Sequence, residues 1–237
     1  MTDHRTALRA DVEPPLLDVP GPRVVHIVDY LRDAPAVTPP DPAVITAVPG
    51  FLRRCVGYLA TDLGIGQFVD IGSGVPAAEG VHGVARTHDP DSRVVYVDTG
   101  AAASVGSRTA VHVDGPVTLH VKRLDAAGIA GQLGLRGLLD LTSPLGVVLN
   151  ADALPGDNAV GALVRGLYEI LAPGSHLVIC RRPPNDADPH ARQRAATLFE
   201  PFDLLEPGTA DIAWWPYPDD EVAATGTGVL AGVARRP

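Results

Sequence analysis

Short apolar runs alternate with amphipathic segments along most of the chain, and turn-forming residues separate them. An apolar run of about four to eight residues between turn residues is typical of a buried strand. We expect such strands near residues 67–71, 93–98, 117–121, 145–150 and 174–181. Apolar residues at helical spacing predict helices near residues 76–88, 125–134, 157–172 and 188–200. This alternation predicts a parallel sheet covered by helices on both faces, with right-handed crossovers.

The C-terminal part of the chain breaks this alternation. The segments "ADIAWWPYP" and "TGVLAGVARR" have the character of two strands, and no helical pattern lies between them. Such a pair suits an antiparallel hairpin at one side of the sheet. The whole pattern therefore predicts an α/β fold with a mostly parallel sheet of about seven strands and a C-terminal antiparallel hairpin.

The N-terminal part has a different organisation. Residues 1–22 contain the proline-rich stretch "EPPLLDVPGP" and predict an extended arm. Residues 23–66 predict a helical segment, because "RVVHIVDYLRD" has helical spacing and Asp41 followed by Pro42 resembles the start of a further helix. We expect this segment to cover the carboxyl edge of the sheet as a lid, and residues 67–237 to form the main domain.

Composition narrows the classes of partner and of site. The 237 residues carry a formal net charge of −9, which argues against nucleic acid or an anionic membrane as a partner. No run of about eighteen apolar residues and no signal-peptide pattern occurs. Cys55 and Cys180 lie far apart without metal-ligand spacing. We therefore expect reduced thiols, no metal site, a cytoplasmic location and a small-molecule substrate.

The stretch "VDIGSG" after the first predicted strand is the main candidate for a binding site. Gly72 and Gly74 allow a sharp turn close to a ligand, and Asp98 at the end of the second strand is placed to accept hydrogen bonds from a ribose diol. Position 77 is alanine, so the dinucleotide pattern G-x-G-x-x-G is incomplete. Asp70 would repel a pyrophosphate and suits a cationic amino-acid group, which favours S-adenosylmethionine. Alternatively, the glycines form only a tight strand-to-helix turn and Asp98 only caps a helix, and no ligand binds.

The chain resembles an actinobacterial family of S-adenosylmethionine-dependent methyltransferase-like proteins. The resemblance runs from about Val24 to the C-terminus and rests on "FLRRCVGYLATDLGIGQFVDIGSGVPAAEGVHGVAR", "SRVVYVD", "ILAPGSHLVI" and "GVARRP" taken together. It implies a Rossmann-like class I methyltransferase fold. It also implies S-adenosylmethionine as the cofactor, bound by Asp70, Gly72, Gly74 and Asp98.

The sequence departs from this family in several motifs. "VDYLRDAPAV" keeps Asp29 and Tyr30 of the family's lid motif and loses its glycines and lysine. Arg123 stands where the family has an acid that receives the adenine amino group, and arginine has only donors. The fourth strand ends in "LNADALPGD", where the family has a more apolar, histidine-containing stretch. Asn150 and Asp152 stand at the carboxyl end of this strand, and we expect them to line the pocket.

Three functions therefore stay open. The first is methyl transfer to a small molecule in specialised, natural-product metabolism, with Asp29, Tyr30 and Asp152 as candidate catalytic residues and with Arg123 and Asn150 at the cofactor. The second is a cyclisation or elimination without S-adenosylmethionine, in which Arg123 binds an anionic small molecule. The third is a non-catalytic subunit that binds a partner through "DIAWWPYP". A homodimer or a heteromeric biosynthetic partner is compatible with all three.

Overall fold

The structure is a computed structural model that describes residues 42–73, 80–98, 117–121, 123–135, 137–185, 188–217 and 225–237. All of these residues belong to one compact unit, Pro40–Pro237. The predicted arm at 1–22 and most of the predicted lid at 23–41 lie outside the described residues. The division of the chain at residue 66 stays a prediction.

The described part of the chain contains five α-helices and eight strands. The helices are α1 (Pro42–Thr61), α2 (Val81–His88), α3 (Ala126–Leu135), α4 (Asp157–Ile170) and α5 (Ala191–Thr197). The strands are β1 (Gln67–Ile71), β2 (Arg93–Asp98), β3 (Val117–His120), β4 (Gly146–Asn150), β5 (His176–Arg181), β6 (Asp203–Leu204), β7 (Ala210–Asp211) and β8 (Leu230–Arg235). A short 3-10 helix (Ala151–Ala153) follows β4.

The strands form one mixed sheet in the order β3-β2-β1-β4-β5-β8-β6, and β7 also pairs with β8. The first five strands are parallel, whereas β8 is antiparallel to β5, β6 and β7. The predicted α/β architecture is confirmed, and the first five strands begin and end within two residues of their predicted bounds.

The sheet has eight strands where the sequence predicts about seven. The sequence predicts one strand beside β8, but two short strands lie there: β6 pairs with residues 234–235 of β8, and β7 pairs with residues 230–231. Pro207 and Gly208 lie between the two pieces, and a proline cannot donate to a strand ladder. Two residues are too few to show an alternating pattern, so the sequence does not reveal β6.

The sheet has a hydrophobic core on each face. Val69 and Ile71 of β1 belong to the core that α3 and α4 cover, whereas Phe68 belongs to the core that α1 and α2 cover. Successive side chains of a strand point to opposite faces. Asp70 therefore points to the same face as Phe68, beneath α1.

Helix α1 is tied to the sheet by its C-terminal half. Its buried residues include Phe51, Cys55 and Leu59, and Phe51 packs edge-to-face against Trp215 with ring centroids 5.9 Å apart. Among the described residues, α1 alone is long and apolar enough to cross a membrane. That is weak evidence, because a core helix passes the same test.

Candidate functional site

The strand order of the sheet reverses between β1 and β4, which makes this position a topological switch point. The chain runs outward from β1 through β2 to β3 and then returns to place β4 on the other side of β1. In open parallel sheets a crevice forms outside the carboxyl ends of the strands at such a point. The residues that follow β1, β2 and β4 are therefore the ones expected to meet a ligand.

The turn after β1 requires a glycine at position 72. Gly72 has a φ of +78°, and a Cβ atom built on it would lie 2.5 Å from the Cβ atom of Ala153 and 3.2 Å from the carbonyl oxygen of Asn150. Its amide donates to the carbonyl of Val97, with a distance of 2.9 Å. This bond brings the turn against the end of β2, next to Asp98.

Asn150 holds the turn after β1 to the loop after β4. Its Nδ2 donates to the Gly72 carbonyl at 3.2 Å, and its Oδ1 accepts from the Asp152 amide at 3.2 Å. We expected Asn150 to bind the cofactor directly. The two ends of its amide join the two loops, and direct contact of Asn150 with a cofactor stays a prediction.

Asp70 is a buried carboxyl group at the base of the crevice. It is 3% exposed, and its Oδ1 accepts a hydrogen bond from the Ser73 hydroxyl. Burial raises the pKa of Asp70 to about 6, the Ser73 hydrogen bond opposes this shift, and the charge of Asp98 adds to it. Asp70 and Asp98 lie near the carboxyl ends of the paired strands β1 and β2, and the Gly72 amide bonds the Val97 carbonyl next to Asp98.

The structure thus brings together Asp70, Gly72 and Asp98 of the predicted site. Asp98 ends β2, is partly exposed, and its carbonyl accepts from the Val121 amide at 2.8 Å. Gly74, Asp29 and Tyr30 lie outside the described residues, so their predicted roles stay predictions.

A cavity of about 510 Å³ opens between the segments that follow β3 and β4. Its walls are mostly apolar and include Leu124, Leu154 and Leu163, with Arg123 and Asp125 as the charged lining residues. Arg123 was expected to line the pocket, and it is one of the residues that line this cavity. Its side chain lies at the rim, where it is 83% exposed and Nε lies 3.9 Å from the Asp125 carboxylate.

Asp125 is a lining residue that the sequence reasoning missed. Its Oδ1 accepts from the Gly128 amide at 2.8 Å, so the carboxylate caps α3 while it faces the cavity. The sequence signal was an acid directly before a helix, in "KRLDAAG", two positions after Arg123. The resembling family has its acid at the position of Arg123, whereas in this chain the acid that lines the cavity is Asp125, two residues later.

A second unpredicted residue, Arg181 at the end of β5, organises the loop after β4. It donates to the Ala151 carbonyl at 2.9 Å, pairs with Asp157 at 2.9 Å and approaches Asp152 at 3.4 Å. Asp152 also accepts from the Arg182 amide at 3.2 Å, and its side chain is 45% exposed. Burial raises the pKa of Asp152, whereas the hydrogen bond from the Arg182 amide and the charges of Arg181 and Arg182 act to lower it. The candidate catalytic acid Asp152 is thus fixed at the carboxyl edge.

Within the described ranges, no three His, Cys, Asp or Glu side chains are grouped so that they could hold a metal ion. Cys55 is buried and Cys180 is partly buried. Burial raises the pKa of Cys55 to about 12 and that of Cys180 well above its ordinary value, and both are free thiols.

Comparison with known proteins shows the family and the fold of the chain. A family model described as "S-adenosyl methyltransferase" matches residues 30–197. The chain belongs to this family. The comparison with curated proteins gives no match.

Two crystal structures resemble this S-adenosyl methyltransferase family member over most of both chains. A DUF574 family protein from Streptomyces avermitilis is 31% identical, with 81% of this chain and 83% of that chain covered and a TM-score of 0.62. A proposed methyltransferase from Thermobifida fusca is 26% identical, with 82% and 83% covered and a TM-score of 0.64. The recognised family and the class I methyltransferase fold are thereby confirmed.

Proposed function

We propose that this S-adenosyl methyltransferase family member transfers a methyl group from S-adenosylmethionine to a small molecule in specialised metabolism. The observation that carries the proposal is the junction of Asp70, Gly72 and Asp98 at the point where the strand order reverses. Family membership supports S-adenosylmethionine as the cofactor. The acceptor and its metabolic role come from the sequence interpretation.

The carboxylates and the apolar cavity at the crevice fit the chemical groups of S-adenosylmethionine. Asp98 offers a carboxylate to the ribose hydroxyls, and the Asp70 carboxylate, through Ser73 and the turn, suits a cationic amino-acid group. The apolar cavity of about 510 Å³ suits a flat base, and Asp125 supplies the acceptor for an adenine amino group that Arg123 cannot provide. The chain therefore keeps a carboxylate for each cationic or donor part of the cofactor.

When bound, S-adenosylmethionine would supply a methyl group on its sulfonium sulfur: a lone pair of the acceptor forms the new bond to the methyl carbon, the S–C bond breaks, and the cofactor becomes a neutral thioether. The protein contributes position and a dry surrounding to such a displacement, and needs no metal for it. Asp152 is held by Arg181 and the Arg182 amide and remains the described candidate for taking a proton from the acceptor. The roles of Asp29 and Tyr30 are part of this proposal.

The two alternative functions receive less support from the site. An anion-binding site built on Arg123 is disfavoured, because this side chain is 83% exposed and already lies beside Asp125. A partner surface built on "DIAWWPYP" is disfavoured by Trp215, which is 4% exposed and packs on Phe51. A cytoplasmic location and a homodimer or heteromeric partner remain part of the proposal that the sequence supports.

Titration calorimetry with S-adenosylmethionine and S-adenosylhomocysteine tests the proposal. We expect both to bind the purified full chain, and Asp98→Ala to weaken binding by about ten- to a hundred-fold, since a charged hydrogen-bond acceptor is lost. Asp62→Ala is the matched control, because Asp62 is an exposed acid at the opposite edge of the sheet, just after α1. A folded protein that binds neither compound contradicts the proposal.

A further inference from the structure

A second cavity, of about 600 Å³, lies beside the first half of α1. Its lining includes Ala47, Gly50 and Arg54 of α1, and Ala213, Thr225 and Thr227 from the segments around β7 and β8. It is a wide depression that is open to solvent, large enough to contact one face of a small molecule.

This cavity lies toward the same edge of the sheet as the glycine turn. Helix α1 runs antiparallel to β1, because Leu59 lies near Gly146 at the start of β4 while Cys55 interacts electrostatically with Asp70. The first half of α1 therefore extends toward the carboxyl edge. Thr227 lies just before β8, whose first residue Leu230 pairs with Arg181 at the end of β5. The cavity is thus on the α1 face of the crevice, the face to which Asp70 points.

Arg54 projects a guanidinium group into the wall of this cavity. Its Nη2 donates to the carbonyls of Ile212 at 2.7 Å and Ala213 at 3.2 Å, and its Nε donates to the Trp215 carbonyl. These bonds fix the guanidinium plane. Nη1 lies toward Gly50, where a Cβ atom would be 3.2 Å from it, and it has no hydrogen-bond partner within the described ranges.

No carboxylate among the described residues neutralises Arg54. The three acceptors are neutral carbonyls, and the ionisable groups that act on it are those of Cys55, Arg53 and Tyr217. Burial is the main cause that lowers the pKa of Arg54 from its ordinary value, yet arginine stays charged at neutral pH. A partly buried cation of this kind is stabilised by an anion that completes its hydrogen bonds.

We propose that this cavity binds the methyl acceptor, and that the acceptor carries a carboxylate which pairs with Nη1 of Arg54. The inference rests on the proposed methyl transfer and adds the chemical class of the acceptor. Nη1 carries two N–H groups that have no partner within the described ranges, and a carboxylate oxygen can accept from one of them while its charge neutralises the guanidinium. The small side chains of Ala47, Gly50 and Ala213 leave room for an apolar body beside it.

Sodium benzoate and its neutral analogue benzamide are suitable probes of this cavity. The chain has two tryptophans, Trp214 and Trp215, and both lie on the turn that Arg54 holds, so intrinsic fluorescence reports binding. We expect benzoate to bind at least about ten-fold more tightly than benzamide, because only benzoate pairs with the guanidinium. Equal affinity of the two probes overturns the inference.

Two variants and one control locate the site. Arg54→Gln and Ala47→Leu should each weaken benzoate binding by about ten-fold or more, and Ala47→Leu fills the cavity without altering the bonds that Arg54 makes. Arg53→Gln makes the same charge change on the exposed neighbouring residue and should leave the affinity within about two-fold. Unchanged binding in Ala47→Leu, or an equal loss in Arg53→Gln, overturns the inference.

Titration of the same variants with S-adenosylmethionine separates this inference from the proposed function. Ala47→Leu should bind S-adenosylmethionine as the unmodified chain does, within about two-fold. If S-adenosylmethionine binds and benzoate shows no preference over benzamide, the acceptor class is wrong and methyl transfer stands. If benzoate binds as expected and S-adenosylmethionine does not bind, both the proposed function and the acceptor role of the cavity are wrong.

Discussion

Ser73 donates its hydroxyl proton to Oδ1 of Asp70, a carboxyl group that is 3% exposed at the base of the crevice. This one hydrogen bond only partly offsets the burial that raises the pKa of Asp70 to about 6. The chain therefore keeps a destabilised carboxylate at the position where a cationic group of the ligand is expected.

The first prediction concerns the stability of the ligand-free protein as a function of pH. Asp70 titrates near 3.8 when unfolded and near 6 when folded, so between these values the folded state binds more protons. Stability from this group is therefore lost as the pH rises from about 4 to about 6. Asp70→Asn stays neutral and can still accept from Ser73. It should raise the free energy of unfolding at pH 8 by roughly 2–3 kcal/mol, at about 1.4 kcal/mol per pKa unit.

Urea denaturation at pH 8 and pH 4.5 measures this effect. The advantage of Asp70→Asn should shrink strongly at the lower pH, because the unmodified carboxyl group is then protonated as well. The same variant should bind S-adenosylmethionine more weakly. An Asp70→Asn protein that is less stable than the unmodified chain at pH 8 would show that the carboxylate is stabilised in the ligand-free fold.

The second prediction concerns the glycine turn. Gly72→Ala places a methyl group 2.5 Å from the Ala153 Cβ atom at a φ of +78°. Gly64→Ala is its matched control, because Gly64 has a φ of +66° and no atom within 4 Å of the added Cβ. Backbone strain should cost each variant about 1–2 kcal/mol, and the clash should cost Gly72→Ala at least about 1 kcal/mol more. Denaturation curves of equal midpoint contradict the described packing of the turn.

The third prediction concerns the ion pairs behind Asp152. Arg181→Gln removes the links from β5 to Ala151 and Asp157, and we expect a loss of about 1–3 kcal/mol in stability. This loss of stability is smaller than that for a fully buried ion pair, because the Asp157 side chain is 43% exposed to solvent. Arg182→Gln should change stability by less than about 0.5 kcal/mol, since its side chain makes no ion pair within the described ranges. A similar loss in both variants would contradict a specific role for Arg181.

The fourth prediction separates the two charged residues at the 510 Å³ cavity. Asp125→Ala should weaken S-adenosylmethionine binding by about ten-fold, since it removes the proposed acceptor for the adenine amino group. It should also cost about 0.5–2 kcal/mol in stability, because the helix cap at Gly128 is lost. Asp125→Asn keeps an acceptor oxygen and should retain the cap and most of the affinity.

Arg123→Ala is the control for this prediction. Because Arg123 is 83% exposed and its ion pair with Asp125 spans 3.9 Å, we expect binding and stability to stay near those of the unmodified chain. Calorimetry on Arg123→Ala, Asp125→Ala and Asp125→Asn under one buffer condition decides the matter. A larger effect from Arg123 than from Asp125 would show that Arg123, and not Asp125, is the charged residue that contacts the cofactor.

Local sequence patterns were sufficient to predict the parallel sheet. The apolar runs that form β1 and β2 are buried on both faces, and such runs have the composition and length of central strands. The glycine turn was predictable for a similar reason, because Gly72 and Asp98 follow consecutive strands whose carboxyl ends meet at one edge.

The parts that were not predictable depend on contacts between distant segments. Arg54 reaches carbonyl groups about 160 positions away, and no local pattern announces such bonds. Arg123 and Asp125 are two residues apart, and the sequence cannot decide which of them turns inward after a strand ends. The structure places Asp125 at the helix cap and leaves Arg123 largely exposed at the rim of the cavity.

The interrupted strand beside β8 has a consequence for self-assembly. β6 and β7 pair with the two ends of β8 on that side, the Leu205 amide donates to the Val233 carbonyl between them, and Pro207, which lacks an N–H group, follows in the chain. A continuous row of unpaired backbone groups is what allows another chain to add a strand to a sheet. This side of the sheet presents two pieces of two residues each in place of such a row. In the part of the chain that the structure describes, copies that meet at this side would therefore find only short pieces of strand to pair with, which disfavours edge-to-edge growth into fibrils.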